Sequence, residues 1–227
     1  VGYSISELEP FLDLEIPLTI AVLPHLDSSR EAVDRAREAG LDVILHLPME
    51  PTVDIDPGPG AILTGQSGEE MRRRVNRAME SVPGVIGANN HMGSAATADA
   101  RVMRTVIDEL AANDLFFLDS RTSAHSQVEG VSATLQLPYM RRDFFVDHDR
   151  DADAMRAALS RGIERASEDG VAIVIGHVQT SALPAIIEEA AREAERRGVR
   201  FEGLSHYRDT VFLADRAGID GSGEVGR

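Results

Sequence analysis

Three histidines and one aspartate in this sequence stand at the ends of short apolar runs, and their types suit hydrolytic chemistry. His46 follows DVIL, His91 follows GVIGANN, Asp119 closes LFFLD and His177 follows VAIVIG. Two neutral imidazoles, a carboxylate and a water make a catalytic site for zinc or a similar divalent cation, which polarises a carbonyl and lowers the pKa of the water. A further carboxylate then serves as base, and a further histidine as acid toward the leaving group. Any one histidine at a strand end is more often a hydrogen-bonded structural residue than a ligand. Four polar endings of the same kind point the other way for His46, His91 and His177. Asp119 has two readings of equal weight, a site carboxylate or a cap of the following helix. Asn89 and Asn90 either face the site or form a turn. His25 reads as a loop residue, and the polar surroundings of His125, His148 and His206 read as surface.

Rival chemistries lack their residues. The chain has no cysteine, so disulfides, thiolate ligands and a cysteine nucleophile are excluded. All 23 basic residues are arginine, which excludes a P-loop lysine and a Schiff-base lysine. No G-x-S-x-G elbow occurs, since GQSGE breaks at its last position, and HExxH is absent. The glycines of Gly221, Gly223 and Gly226 have GxGxxG spacing, but no strand closely precedes them, so the match is chance.

The elements that must position these residues alternate in type. Amphipathic helices are expected over 28–40, 67–82, 97–114, 151–170 and 180–198. Apolar strands are expected over 17–23, 42–47, 84–89, 115–119, 171–176 and 199–204, with a Pro/Gly/Asp-rich loop over 51–65. Strand–helix alternation with nearly continuous apolar strands implies a parallel sheet covered by helices, either a barrel or an open sheet. Ligands bind at the carboxyl ends of strands in such folds, which would gather the polar endings on one rim. The 227 residues suit a single domain over 1–213, with a flexible tail over 214–227. A net charge of −15 disfavours nucleic acid as a partner. No apolar run is long enough for a membrane span. An acidic chain without lysine fits either a salty environment or a GC-rich genome.

Read together, LHLPMEP, GANNHMGS, FFLDSRTS, RRDFFVDHD and AIVIGH resemble the divergent polysaccharide deacetylase family, relatives of NodB-type carbohydrate esterases. The resemblance runs from Val1 to about Leu213. It implies a distorted (β/α) barrel and metal-dependent removal of acetyl groups from an amino-sugar glycan, in the periplasm or cell envelope. By that resemblance His46 and His91 bind the metal, in first place zinc, and His177 is the general acid. Arg142 and Asp119 stand with the catalytic group, Asp119 as a metal neighbour or as a carboxylate orienting a histidine. Asn89, Asn90, Ser94 and Asp147 face the substrate.

One departure bears on activity. The family carries an Asp-Asp pair on its first strand, just ahead of the position of Gly2-Tyr3, and this sequence opens at Val1. The expectation is a truncated chain whose first strand is missing, leaving the edge of the 17–23 strand open. The alternatives are a non-catalytic glycan-binding or envelope-scaffold protein on the same fold, and a metallohydrolase acting on a small amide. Aromatic content of 4% without tryptophan weakens a polysaccharide groove, leaving Tyr3, Tyr139 and Tyr207 to stack on sugars. No oligomeric state is implied.

Overall fold

The computed structural model describes residues 1–137 and 139–212; the segment expected as a tail lies outside them. In chain order the elements are α1 (Glu9–Leu12), β1 (Thr19–Val22), α2 (Ser29–Glu38), β2 (Asp42–Met49), α3 (Gly68–Ser81), β3 (Gly87–Met92), α4 (Ala100–Ala111) and β4 (Phe116–Asp119). They continue with α5 (Val128–Thr134), β5 (Met140–Arg141), β6 (Phe144–Phe145), α6 (Ala152–Asp169), β7 (Val174–Ile175), α7 (Leu183–Arg196) and α8 (Leu204–Tyr207).

The α/β class holds, and the main sheet is parallel with strand order β1-β2-β3-β4-β5. The resemblance implied a distorted (β/α) barrel lacking its first strand. Among the described residues the hydrogen bonds instead form two units, the five-stranded sheet and a separate parallel pair β6-β7. Short strands explain the break: β5 and β6 have two residues each, and Arg142 and Asp143 between them turn their backbone N–H groups to Asp119 and Ile173. β1 is the outer strand, and Val1 lies along its edge, donating to the Ala21 carbonyl at 3.0 Å and accepting from Leu23 at 2.8 Å.

Three of the long helices, α3, α4 and α6, start where a polar side chain takes up free N–H groups. Ser67 accepts from Glu70 ahead of α3, Asp99 from Arg101 and Val102 ahead of α4, and Asp151 from Asp153 and Ala154 ahead of α6. α6 stops at Gly170, whose φ of 87° is left-handed. The strand expected over 199–204 is not a strand. That segment crosses the start of the sheet, where Leu204 N–H donates to Thr19 Oγ1 and Ser205 N–H to Asp42 Oδ2, and α8 begins.

Period-two alternation sends successive strand side chains to opposite sides. Leu45, Leu47, Met49, Ala88 and Phe117 pack under the helices in the main core. Ile44, Phe116, Leu118 and Met140 form a smaller apolar cluster on the other side, joined by Ile173 and Ile175. His46 and Asn89 are register partners that share a row with Leu118 and Met140. The second cluster therefore floors the site, and the polar residues lie further along the same faces.

Candidate functional site

His46 and His91 come from adjacent strands. His46 pairs with Asn89 across the sheet, and His91 is two residues beyond Asn89 on the same face. His46 Nδ1 lies 2.8 Å from Asn89 Oδ1, which can only accept, so Nδ1 carries the proton and Nε2 is left with its lone pair. That Nε2 faces His91 Nδ1 at 3.1 Å, and the rings meet edge to face. Burial, with His91 nearby, pushes the His46 pKa well below its usual value, and burial lowers that of His91. Both imidazoles are thus held neutral, the state a metal requires.

β2 and β3 run further than their patterns suggest. His46 sits inside β2, and Asn89, Asn90 and His91 are strand residues, so the turn reading of the asparagines falls. The sharp turn comes afterwards, at Met92 (φ 54°) and Gly93 (φ 87°). A Cβ on Gly93 would stand 2.9 Å from Met49 Cβ, so glycine is required there. Asn90 points to the opposite side from His91. Its Nδ2 donates to the Met92 carbonyl at 2.7 Å and to Thr122 Oγ1 at 3.1 Å, and its Oδ1 accepts from Ser120 N–H at 2.9 Å. These bonds clamp the turn beside His91 to the loop after β4. Asn89 and Asn90 are both buried, and their polar atoms are taken by protein, so neither faces substrate as expected. Ser94 likewise accepts from Thr52 N–H at 2.8 Å and pins the start of the 51–65 loop.

The second half of the site belongs to β6 and β7. His177 follows β7 and is half-exposed, while the Asp147 side chain beneath it is fully buried. Asp147 Oδ1 is 2.9 Å from His177 Nδ1, and Oδ2 accepts from His177 N–H at 2.9 Å and Thr180 Oγ1 at 2.6 Å. Burial would raise the Asp147 pKa, but these bonds from His177 and Thr180 outweigh it and hold the carboxyl at about 2. Asp147 is therefore the partner of His177 and not a substrate-facing residue. The Phe145 ring stacks on the His177 ring, 5.5 Å between centroids and 7° from parallel, and Arg142 Cζ lies 4.1 Å from the Phe145 centroid. Arg142 is anchored by Nε to the Ser120 carbonyl at 2.7 Å and by a terminal nitrogen to that of Arg121 at 3.1 Å. Its contact with His177 is indirect, through Phe145, which makes it a positioning residue. Positive charge at His177 would act against protonation of both His46 and His91, so the two halves lie within electrostatic reach of one another.

Asp119 neither caps the following helix nor bonds a histidine among the described residues. Its buried carboxylate accepts from Arg121 N–H at 2.7 Å, Ser126 Oγ at 2.8 Å and Tyr139 OH at 3.2 Å, all within the loop between β4 and β5. α5 begins beyond it, after Gln127. Asn89 and Asp147 orient the histidines instead. His25, His125, His148 and His206 are exposed. Pattern reading missed Phe145, Thr180 and Thr122. Thr180, three residues after His177, carried the one usable signal, since a hydroxyl one turn on can share a carboxylate with the histidine.

The match to the family model for divergent polysaccharide deacetylases spans residues 1–207. The chain belongs to that family. Among relatives, it is 31% identical over 192 residues to an uncharacterized protein of Haemophilus influenzae, spanning 85% of this chain and 68% of that one. It is 30% identical over 176 residues to the uncharacterized protein YibQ of Escherichia coli, spanning 78% of this chain but only 55% of YibQ. In shape it matches the crystal structure of an uncharacterized protein from Agrobacterium tumefaciens, with a TM-score of 0.84, 25% identity, and coverage of 91% of this chain and 85% of that one.

A divalent cation fits the His46–His91 pair in part. Two ligands at roughly 2.0–2.1 Å from one tetrahedral or octahedral centre stand about 2.9–3.4 Å apart, and the two ring nitrogens are 3.1 Å apart. Among the described residues no group of three or more His, Asp or Glu side chains converges to hold a metal. The pair supplies two places of a coordination sphere.

Proposed function

We propose that this protein removes an acetyl group from an amino-sugar glycan of the cell envelope with the help of a divalent metal, zinc in first place. The observation that carries the reading is the half-exposed His177 held on buried Asp147, within electrostatic reach of two neutral imidazoles, in a chain of the deacetylase family. When bound, the cation supplies Lewis acidity toward the acetyl carbonyl and an activated water. His46 and His91 would hold it, and Asn89 fixes the His46 tautomer. Asp147 accepts the hydrogen bond of His177 Nδ1–H, so the Nε2 edge is the one free to deliver a proton to the departing amine nitrogen. The imidazolium that carries the proton to be delivered would be balanced by the ionised Asp147. Phe145, backed by Arg142, holds the ring plane.

The test is metal analysis together with acetate release from N-acetylated chito-oligosaccharides and peptidoglycan fragments, using the full-length protein. Acetate release that stops on chelation and returns with added metal supports the reading. No acetate across the panel, with metal supplied, sinks it. A second reading, a glycan-binding protein without turnover, is favoured by the absence of a third ligand beside the histidine pair among the described residues. It predicts sugar binding indifferent to chelators.

A further inference from the structure

Beside the His177 site lies an open cleft of about 490 Å³ whose walls carry Arg121, Arg141, Arg142 and Arg165. Four guanidinium groups in one cleft are unexpected in a chain of net charge −15. Elsewhere arginines are matched by nearby acids, as Arg73 with Glu69 and Glu70, Arg104 with Asp108, or Arg156 with Asp153 and Glu189. Among the described residues the side chains of Arg121 and Arg141 make no hydrogen bond and no ion pair. One carboxylate, Asp143, lines the cleft; its Oδ2 accepts the Ile173 N–H at 2.8 Å and its charge acts on Arg142, while Asp169 nearby pairs with Arg165, and neither forms an ion pair with Arg121 or Arg141. Arg121 also holds a left-handed φ of 49°, a conformation costly for a side chain of its kind, with its N–H on Asp119 and its carbonyl taking Arg142. Crowded like charges of this sort are relieved by an anion, and guanidinium forks match carboxylate and phosphate oxygens.

The cleft meets the surroundings of His177 at Arg142. Arg142 lines it and lies on the Phe145 ring, which stacks on His177. We infer that this cleft is an anion subsite that binds a carboxylate or phosphate substituent on the sugar next to the one held at His177. The inference rests on the glycan reading of the site and narrows its substrate to an acidic glycan.

Calorimetric binding to the full-length protein tests it with three disaccharides: di-N-acetylchitobiose, the N-acetylglucosamine–N-acetylmuramic acid disaccharide, and chitobiose 1-phosphate. At least one anionic disaccharide binds about tenfold or more tighter than the neutral one at low salt, since a charge-assisted bond is worth about that much. The preference shrinks as salt rises, and which disaccharide shows it distinguishes carboxylate from phosphate. Arg121→Gln with Arg141→Gln removes the preference while leaving binding of the neutral sugar. Equal affinity for all three, no measurable binding of either anionic sugar, or a preference that survives the double variant overturns the subsite. Acetate release is read separately. Charge preference without acetate release sinks the deacetylase reading and keeps the subsite, and release without preference does the reverse.

Discussion

Asp147 holds His177 at two points: Oδ1 meets the ring Nδ1 and Oδ2 the backbone N–H, each at 2.9 Å. One carboxylate thus sets both the position of the residue and the tautomer of its ring. With Thr180 Oγ1 also on Oδ2, every polar contact of this buried group is directed at His177 or the turn that follows it.

Asp147→Asn therefore lowers kcat by about 100-fold or more, the usual contribution of a positioned general acid, with KM little changed. Asp147→Glu restores part of the loss. Steady-state kinetics on an acetylated chito-oligosaccharide checks this; a variant with unimpaired kcat would remove Asp147 and His177 from the chemistry.

The same carboxyl sets an acid limb of stability. Its folded pKa of about 2 lies below its ordinary 3.8, so the unfolded chain binds the proton more readily between those values. The stabilisation is complete above about pH 5 and is lost as pH falls toward 2, and it amounts to about 2 kcal/mol. Urea unfolding between pH 2 and 6 should show a steeper loss in the wild type than in Asp147→Asn. Parallel curves would contradict the assignment.

On the proposed metal-dependent reading, metal retention should separate the histidines. His46→Ala and His91→Ala lose the cation, whereas His177→Ala keeps it and loses turnover. Asn89→Ala, which frees the His46 tautomer, weakens retention by about 10–100-fold. Dialysis followed by elemental analysis measures all four, and loss of metal from His177→Ala would move that residue among the ligands.

Gly87 tests the floor of the site. A Cβ there would stand 2.5 Å from Phe116 Cε2, so Gly87→Ala forces the ring aside and costs about 1–3 kcal/mol. Adding Phe116→Leu recovers part of the loss. Denaturant midpoints of the single and double variants give the coupling, and strictly additive effects would refute the clash.

The five long helices, strands β1 to β4 and β7, the parallel sheet and the family were legible in the chain because they rest on local facts. Apolar strands that follow amphipathic helices admit little else, and the motifs around His46, His91 and His177 are contiguous runs. Burial and partnership were not legible. Asp119 looked like a site carboxylate because FFL delivers it to a strand end. Its partners Ser126 and Tyr139 come from a loop that closes back only in three dimensions. Asp147 and His177 are 30 residues apart, and only the pairing of β6 with β7 makes them one unit. The sequence by itself determined which residue types reach the strand ends. The tertiary structure decided which of them meet, because hydrogen bonds of about 3 Å depend on register and on neighbouring strands, which no local pattern specifies.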